Sequence, residues 1–151
     1  MSHFDIARST TISASPAEVH ALVDDFHKWP TWSPWEDVDP ALRRTYSGAD
    51  SGVGAHYAWS GNRKAGSGSM EITSSTPEAI DLRLSFLKPW KATNDVRFTF
   101  VPVGEGTEVT WRMTGEQKGV AAVFGRVVNM DRLLGKDFEK GLSRLKATAE
   151  G

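Results

Sequence analysis

One carboxylate stands apart among the residues able to do chemistry. Asp131 falls three residues after Val128 and seven before Phe138, so helical spacing puts it on or beside the apolar stripe of a C-terminal helix. A carboxylate there either binds the polar part of a ligand or works as an acid or base, its pKa raised by desolvation. The alternative is a place at the edge of the stripe, paired with Arg132 or with an arginine of a sheet. Tyr57, Tyr46 and Arg112 are the other candidates for handling protons, although Arg112 alternates outward. His3, His20, His27 and His56 are scattered without neighbours at metal-ligand spacing, and surface histidines are the reading for all four. No nucleophile elbow, His-Glu-x-x-His, Walker loop or Gly-x-Gly-x-x-Gly occurs, and Gly66-Ser67-Gly68 leads into a strand rather than a helix. No metal and no cofactor is expected.

Aromatic residues offer a different chemistry, the solvation of an apolar molecule. Tyr57, Trp59, Phe86, Phe98, Phe100, Trp111, Phe124 and Phe138 face one inner space by strand parity or helical stripe. Met70, Leu84, Met113, Val128, Leu134 and Asp131 complete the candidate wall of a ligand cavity. Any one of these side chains reads as core. Together they fit the apolar lining, sparse in polar groups, of a small-molecule site. Trp29, Trp32 and Trp35 are expected to plug or frame one end of the space, and Trp90 to stand at its mouth or contact a partner.

The elements that must position these residues are legible in the periodicity. Ile80, Leu82, Leu84 and Phe86 take every second position, and the alternation returns in Val96, Phe98, Phe100 and in Val109, Trp111, Met113. Such strands make a sheet with one wet and one apolar face. Phe4 to Ile12 forms a first strand, and Ser15-Pro16-Ala17-Glu18 is a capping box that opens a short helix carrying Val19, Leu22, Val23 and Phe26. The Trp29–Trp35 segment is an ordered connector with a short helical turn. Strands follow from Leu42, from Tyr57 and from Gly68, and the short turns Lys88–Lys91 and Gly104–Gly106 join antiparallel neighbours. From Val120 to about Ala149 the spacing becomes that of one long helix with Phe124, Val128, Gly135, Phe138, Leu142 and Leu145 on its stripe. Gly125, Gly135 and Gly141 in that helix imply close packing or a bend.

Composition sets the outer limits. A chain of 151 residues is expected to form a single domain, 1–151. Its formal net charge of -1 argues against nucleic acid or an anionic membrane as partner. Without cysteine there is no disulfide, zinc thiolate or thiol catalysis. No apolar run spans a bilayer and Met1–Arg8 lacks the plan of a signal peptide, so a cytoplasmic protein without membrane insertion is expected.

Local motifs then point to a family. Trp29-Pro30-Thr31-Trp32-Ser33-Pro34-Trp35 with Asp39-Pro40, Gly52-Val53-Gly54 leading into Tyr57-Ala58-Trp59-Ser60-Gly61-Asn62, and Phe138 to Lys146 resemble bacterial SRPBCC proteins. These form the START-like group labelled polyketide cyclase/dehydrase and lipid transport. The resemblance implies an α+β helix-grip fold (START/Bet v 1-like): a seven-stranded antiparallel sheet wrapped around a long C-terminal helix, with two short helices after strand 1. It also implies binding, and transport or sequestration, of a hydrophobic small molecule such as a lipid or an aromatic or polyketide-like compound. The alternatives are an aromatase/cyclase-type enzyme acting on a polyketide-like substrate and a co-chaperone-like interaction domain. The family fixes no catalytic aspartate at position 131. Monomer and homodimer both remain open.

Overall fold

The computed structural model describes residues 2–35, 41–62, 66–88, 91–117 and 130–151. Seven strands, β1 (Ser2–Ile12), β2 (Arg43–Gly48), β3 (Ala55–Ser60), β4 (Ser67–Thr76), β5 (Ala79–Lys88), β6 (Ala92–Val103) and β7 (Gly106–Gln117), form one antiparallel sheet. Their order is β1-β7-β6-β5-β4-β3-β2, every neighbour antiparallel. The expected alternation holds throughout: Ile80, Leu82, Leu84, Val96, Phe98, Phe100, Val109, Trp111 and Met113 are all buried on one face. Register shifts leave Thr73 of β4 and Leu87 of β5 without a partner across the pair, irregularities that bend a strand and strengthen its twist.

Helix α1 (Pro16–Val23) follows β1 and starts as its sequence dictates, with Pro16 in the first turn and the Ser15 hydroxyl accepting from the Glu18 amide. Its end is less ordinary. The last carbonyls of a helix lack intrahelical donors, and here the indole N–H groups of Trp29 and Trp32 supply them, donating to Val23 O at 2.8 Å and Leu22 O at 3.0 Å. Trp29 lies in a 3-10 helix at Phe26–Thr31 and Trp32 caps its C-terminal end, so the connector is fastened beneath the sheet instead of crossing the surface.

Helix α2 (Met130–Glu150) runs in the same direction as β1 and lies along it. Arg8 Nε donates to Glu139 at 2.9 Å, Lys146 Nζ to Thr11 O at 2.9 Å, and the Ser13 amide to Glu150 at 2.7 Å. At 1.5 Å per residue α2 is about 32 Å long. The expected start at Val120 lies outside the described residues, as do Phe124, Val128, Trp90, Asp39 and Pro40 and the side chain of Asp131.

The other face of the sheet carries cross-strand ion pairs. Arg112 bonds Asp5, and Arg97 holds Asp81 at 2.6 and 3.0 Å. Hydrogen bonding from Arg112 keeps the Asp5 carboxyl below its usual range, and the carboxylates raise the pKa of both arginines. Arg112 is therefore an outer-face residue, as its parity indicates.

Candidate functional site

Register sorts the inner face into rows that cross the strands. Ser75, Ile80, Phe98, Trp111 and Arg8 make one row. Two positions along the strands, Ala55, Ile72, Leu82, Val96, Met113 and Ile6 make the next. Tyr46, Tyr57, Met70, Leu84, Asn94, Gly115 and Phe4 follow, and Arg44, Trp59, Gly68, Phe86 and Ala92 come last.

The rows are not equally covered. Ile80, Phe98 and Phe138 are completely buried, and Trp111 is 1% exposed. Trp111 stacks on Phe138 at 4.3 Å and 10° and on Phe98 at 5.0 Å and 29°, with Trp32 and Trp35 edge-on to it. Gly141 admits this packing: a Cβ there would lie 2.8 Å from Trp111 Cζ3 and 2.9 Å from Pro34 Cδ. Gly135 in turn lets the Arg8 guanidinium pass under α2. Close packing is thus the reason for both glycines. Sequence parity leads one to expect Trp111 beside an open cavity. The structure instead makes it core, because the indoles fastened to the end of α1 fill the space against it. Its own Nε1–H is buried without a hydrogen-bond partner.

Toward the other end of the strands the cover thins. Tyr57 and Met70 are 8% exposed, and Trp59, Phe86, Phe4 and Leu134 are only half-buried. Trp59 stacks on Tyr57 at 6.2 Å and meets Phe86 edge-on at 5.8 Å. It lies flat across β4 because Gly68 has no side chain; a Cβ there would stand 2.6 Å from Trp59 Cη2. The expected wall residues thus divide. Tyr57, Trp59, Met70, Leu84 and Phe86 gather at the thinly covered end, while Phe98, Phe100, Trp111, Met113 and Phe138 belong to the filled end.

Polar groups on this face include two that the sequence reading passed over. Arg8 points inward in phase with Ile6, Thr10 and Ile12, and Asn94 points inward in phase with Val96, Phe98 and Phe100. Extending its alternation by one step finds Asn94, and filling the gap between Ile6 and Thr10 finds Arg8. Asn94 is buried next to Gly115, and it makes no side-chain hydrogen bond among the described residues. Tyr46 is half-buried, beside Tyr57 and under the His27 ring at 4.2 Å.

Two clusters nearer the rim are structural in geometry. Ser75 Oγ donates to Asp24 Oδ1 at 2.7 Å, with His20 Nε2 3.4 Å away. Nucleophile activation needs the histidine to take the serine proton and the carboxylate to orient the histidine. Here the carboxylate takes the serine proton directly, so the cluster ties α1 to β4. His20 is half-buried against Phe100, a departure from the surface reading. A small recess of about 90 Å³ lies between His27, Tyr46, Asp50 and His56. Its histidines bond Asp25 at 2.8 Å and Ser47 at 3.3 Å. Among the described residues no group of three metal-ligating side chains occurs, and no helix is long and apolar enough to cross a membrane.

A seven-stranded antiparallel sheet gripping a C-terminal helix, with an apolar aromatic inner face, defines the helix-grip class. The family profile described as polyketide cyclase / dehydrase and lipid transport matches residues 3–150, and the chain belongs to that family. Among solved structures it is similar to the KanY protein, with a TM-score of 0.73 at 17% identity over the whole of both chains. A protein from Chromobacterium violaceum gives 0.70 at 15% identity over 97% of each chain. The di-domain ARO/CYC StfQ from the steffimycin biosynthetic pathway gives 0.69 at 14% identity, over 98% of this chain and 51% of that one. Identities this low speak for the fold alone. No curated protein matches the sequence significantly.

Proposed function

We propose that the protein binds an apolar, ring-containing small molecule between the sheet and α2, at the thinly covered end of the inner face. The observation that supports this is the gradient of cover along the strands. One end is closed by stacked indoles, whereas Trp59, Phe86 and Phe4 keep part of their rings accessible on the same inward face. Leaving large aromatic surface half-covered forgoes hydrophobic stabilisation, and a ligand that stacks on it recovers that free energy. Family membership points the same way.

Binding is favoured over catalysis by the polar inventory of this end. Its rows contribute an amide, Asn94, two tyrosines, Tyr46 and Tyr57, and at the exposed edge Arg44, with no carboxylate or histidine among the described residues of the rows. The test is titration with the fluorescent probe N-phenyl-1-naphthylamine. Binding by the parent chain, weakened about tenfold or more by Trp59→Ala and left within about threefold by Val101→Ser at an exposed position of β6, supports the reading; tenfold corresponds to about 1.4 kcal/mol. A parent protein that leaves the probe in water overturns it.

A further inference from the structure

Asn94 is the least expected residue of the inner face. Its row places Leu84 on one side and Gly115 on the other, with Met70, Tyr57 and Phe4 further along. It is 6% exposed, and a side-chain amide has two donors and two acceptor positions to satisfy. No described residue meets them, yet Trp111 Nε1 is the one fully enclosed side-chain polar atom without a partner among the described residues, so the Asn94 amide is not sealed off and keeps an edge open to the space beside it. The backbone around it is shaped for it. A Cβ on Gly115 would collide with Asn94 Oδ1 and stand 2.9 Å from the Phe4 ring. Glycine at that point of β7 is what gives the carboxamide its seat.

Leucine at this position would satisfy every local demand of the row. An asparagine in its place offers donors and acceptors to whatever occupies the adjoining space. We propose that Asn94 is the polar anchor of the ligand site, seated by Gly115, and that it selects ring compounds bearing a hydroxyl or carbonyl oxygen over bare hydrocarbons. The amide can accept from a hydroxyl and donate to a carbonyl, so it serves either oxygen. The surrounding Leu84, Met70 and Tyr57 take the apolar body. The proposal rests on the reading that this end holds an apolar ligand, and it assigns that ligand's polar function.

The test compares 2-naphthol with naphthalene, two probes of one shape that differ by a single hydroxyl. Affinities are measured for the parent chain, Asn94→Leu and Asn94→Ala. The quantity read is the change, from parent to variant, in the ratio of the two dissociation constants, in which the difference in hydrophobicity between the probes cancels. Both substitutions are expected to shift the ratio about tenfold toward naphthalene, as loss of one hydrogen bond of about 1.4 kcal/mol does. Asn94→Leu is also expected to raise the urea midpoint of the ligand-free protein, because a largely buried polar side chain gives way to an apolar one. A ratio unchanged in both variants overturns the anchor while leaving the binding reading intact, even if the midpoint rises. Failure of the parent chain to bind either probe overturns both.

Discussion

Truncating Phe138 to alanine probes the filled end of the inner face. The ring is fully buried and stacks on Trp111 at 4.3 Å. Core Phe→Ala changes cost about 3–5 kcal/mol, the sum of lost transfer free energy and a residual cavity. The structure puts this site in the upper half of that range, because its neighbours cannot collapse into the gap. Trp111 is already held by Phe98, Trp32 and Trp35 and abuts Gly141, while Trp32 is tethered to Leu22 O. We therefore expect a loss of about 4–5 kcal/mol. With an m-value of roughly 2 kcal/mol/M, the urea midpoint drops by about 2 M at unchanged m. Far-ultraviolet circular dichroism should follow the transition, since the altered packing changes tryptophan emission by itself. A loss below about 1 kcal/mol, outside the core range, would mean that α2 does not close this end of the sheet.

The remaining predictions concern single atoms. Gly141→Ala should be net destabilising by about 1–2 kcal/mol, because overpacking against Trp111 and Pro34 outweighs the gain of about 1 kcal/mol in helix propensity. Gly135→Ala displaces only the mobile end of Arg8, so denaturation should find it within about 1 kcal/mol of the parent. Trp111→Phe should cost less than Trp32→Phe in the same assay: the first removes an unpaired buried N–H, the second strips Leu22 O of its donor. Asp5 has a lowered folded-state pKa, chiefly through its hydrogen bond from Arg112. Its contribution is present above the unfolded carboxylate value near about 4 and is lost as pH falls through the folded one. The urea midpoints of the parent chain and Asp5→Asn should therefore differ at neutral pH and converge in acid; a difference constant with pH would refute the pairing.

Much of the fold is legible because strand alternation and a capped helix are local signals. Ile80 to Phe86 and Val96 to Phe100 declare their inward faces without reference to the rest of the chain. What fills the space between sheet and helix is not local. Trp29 and Trp32 enter it because their N–H groups find the last carbonyls of α1, a pairing that spacing alone does not announce. Their arrival turns Trp111 from a cavity wall into core and leaves the site to the Tyr57, Trp59 and Phe86 end. Apolarity announces neither Asn94 nor Arg8: Asn94 stands one step before the alternation that starts at Val96, and Arg8 is a charged residue inside the one from Phe4 to Ile12. Gly68 and Gly115 became meaningful only when Trp59 and Asn94 were seen lying over them.

The central claim is that one end of the inner face is closed and the other receives an apolar ring. Nuclear magnetic resonance of the uniformly labelled protein during titration with naphthalene tests it most directly. The account predicts saturable shifts of the Met70 and Leu84 methyl groups and the Trp59 indole. The Leu142 and Leu145 methyls, both buried against the filled end, should stay unmoved. Saturable shifts confined to Leu142, Leu145 and the Trp32 indole, or no saturable shift anywhere, would contradict it.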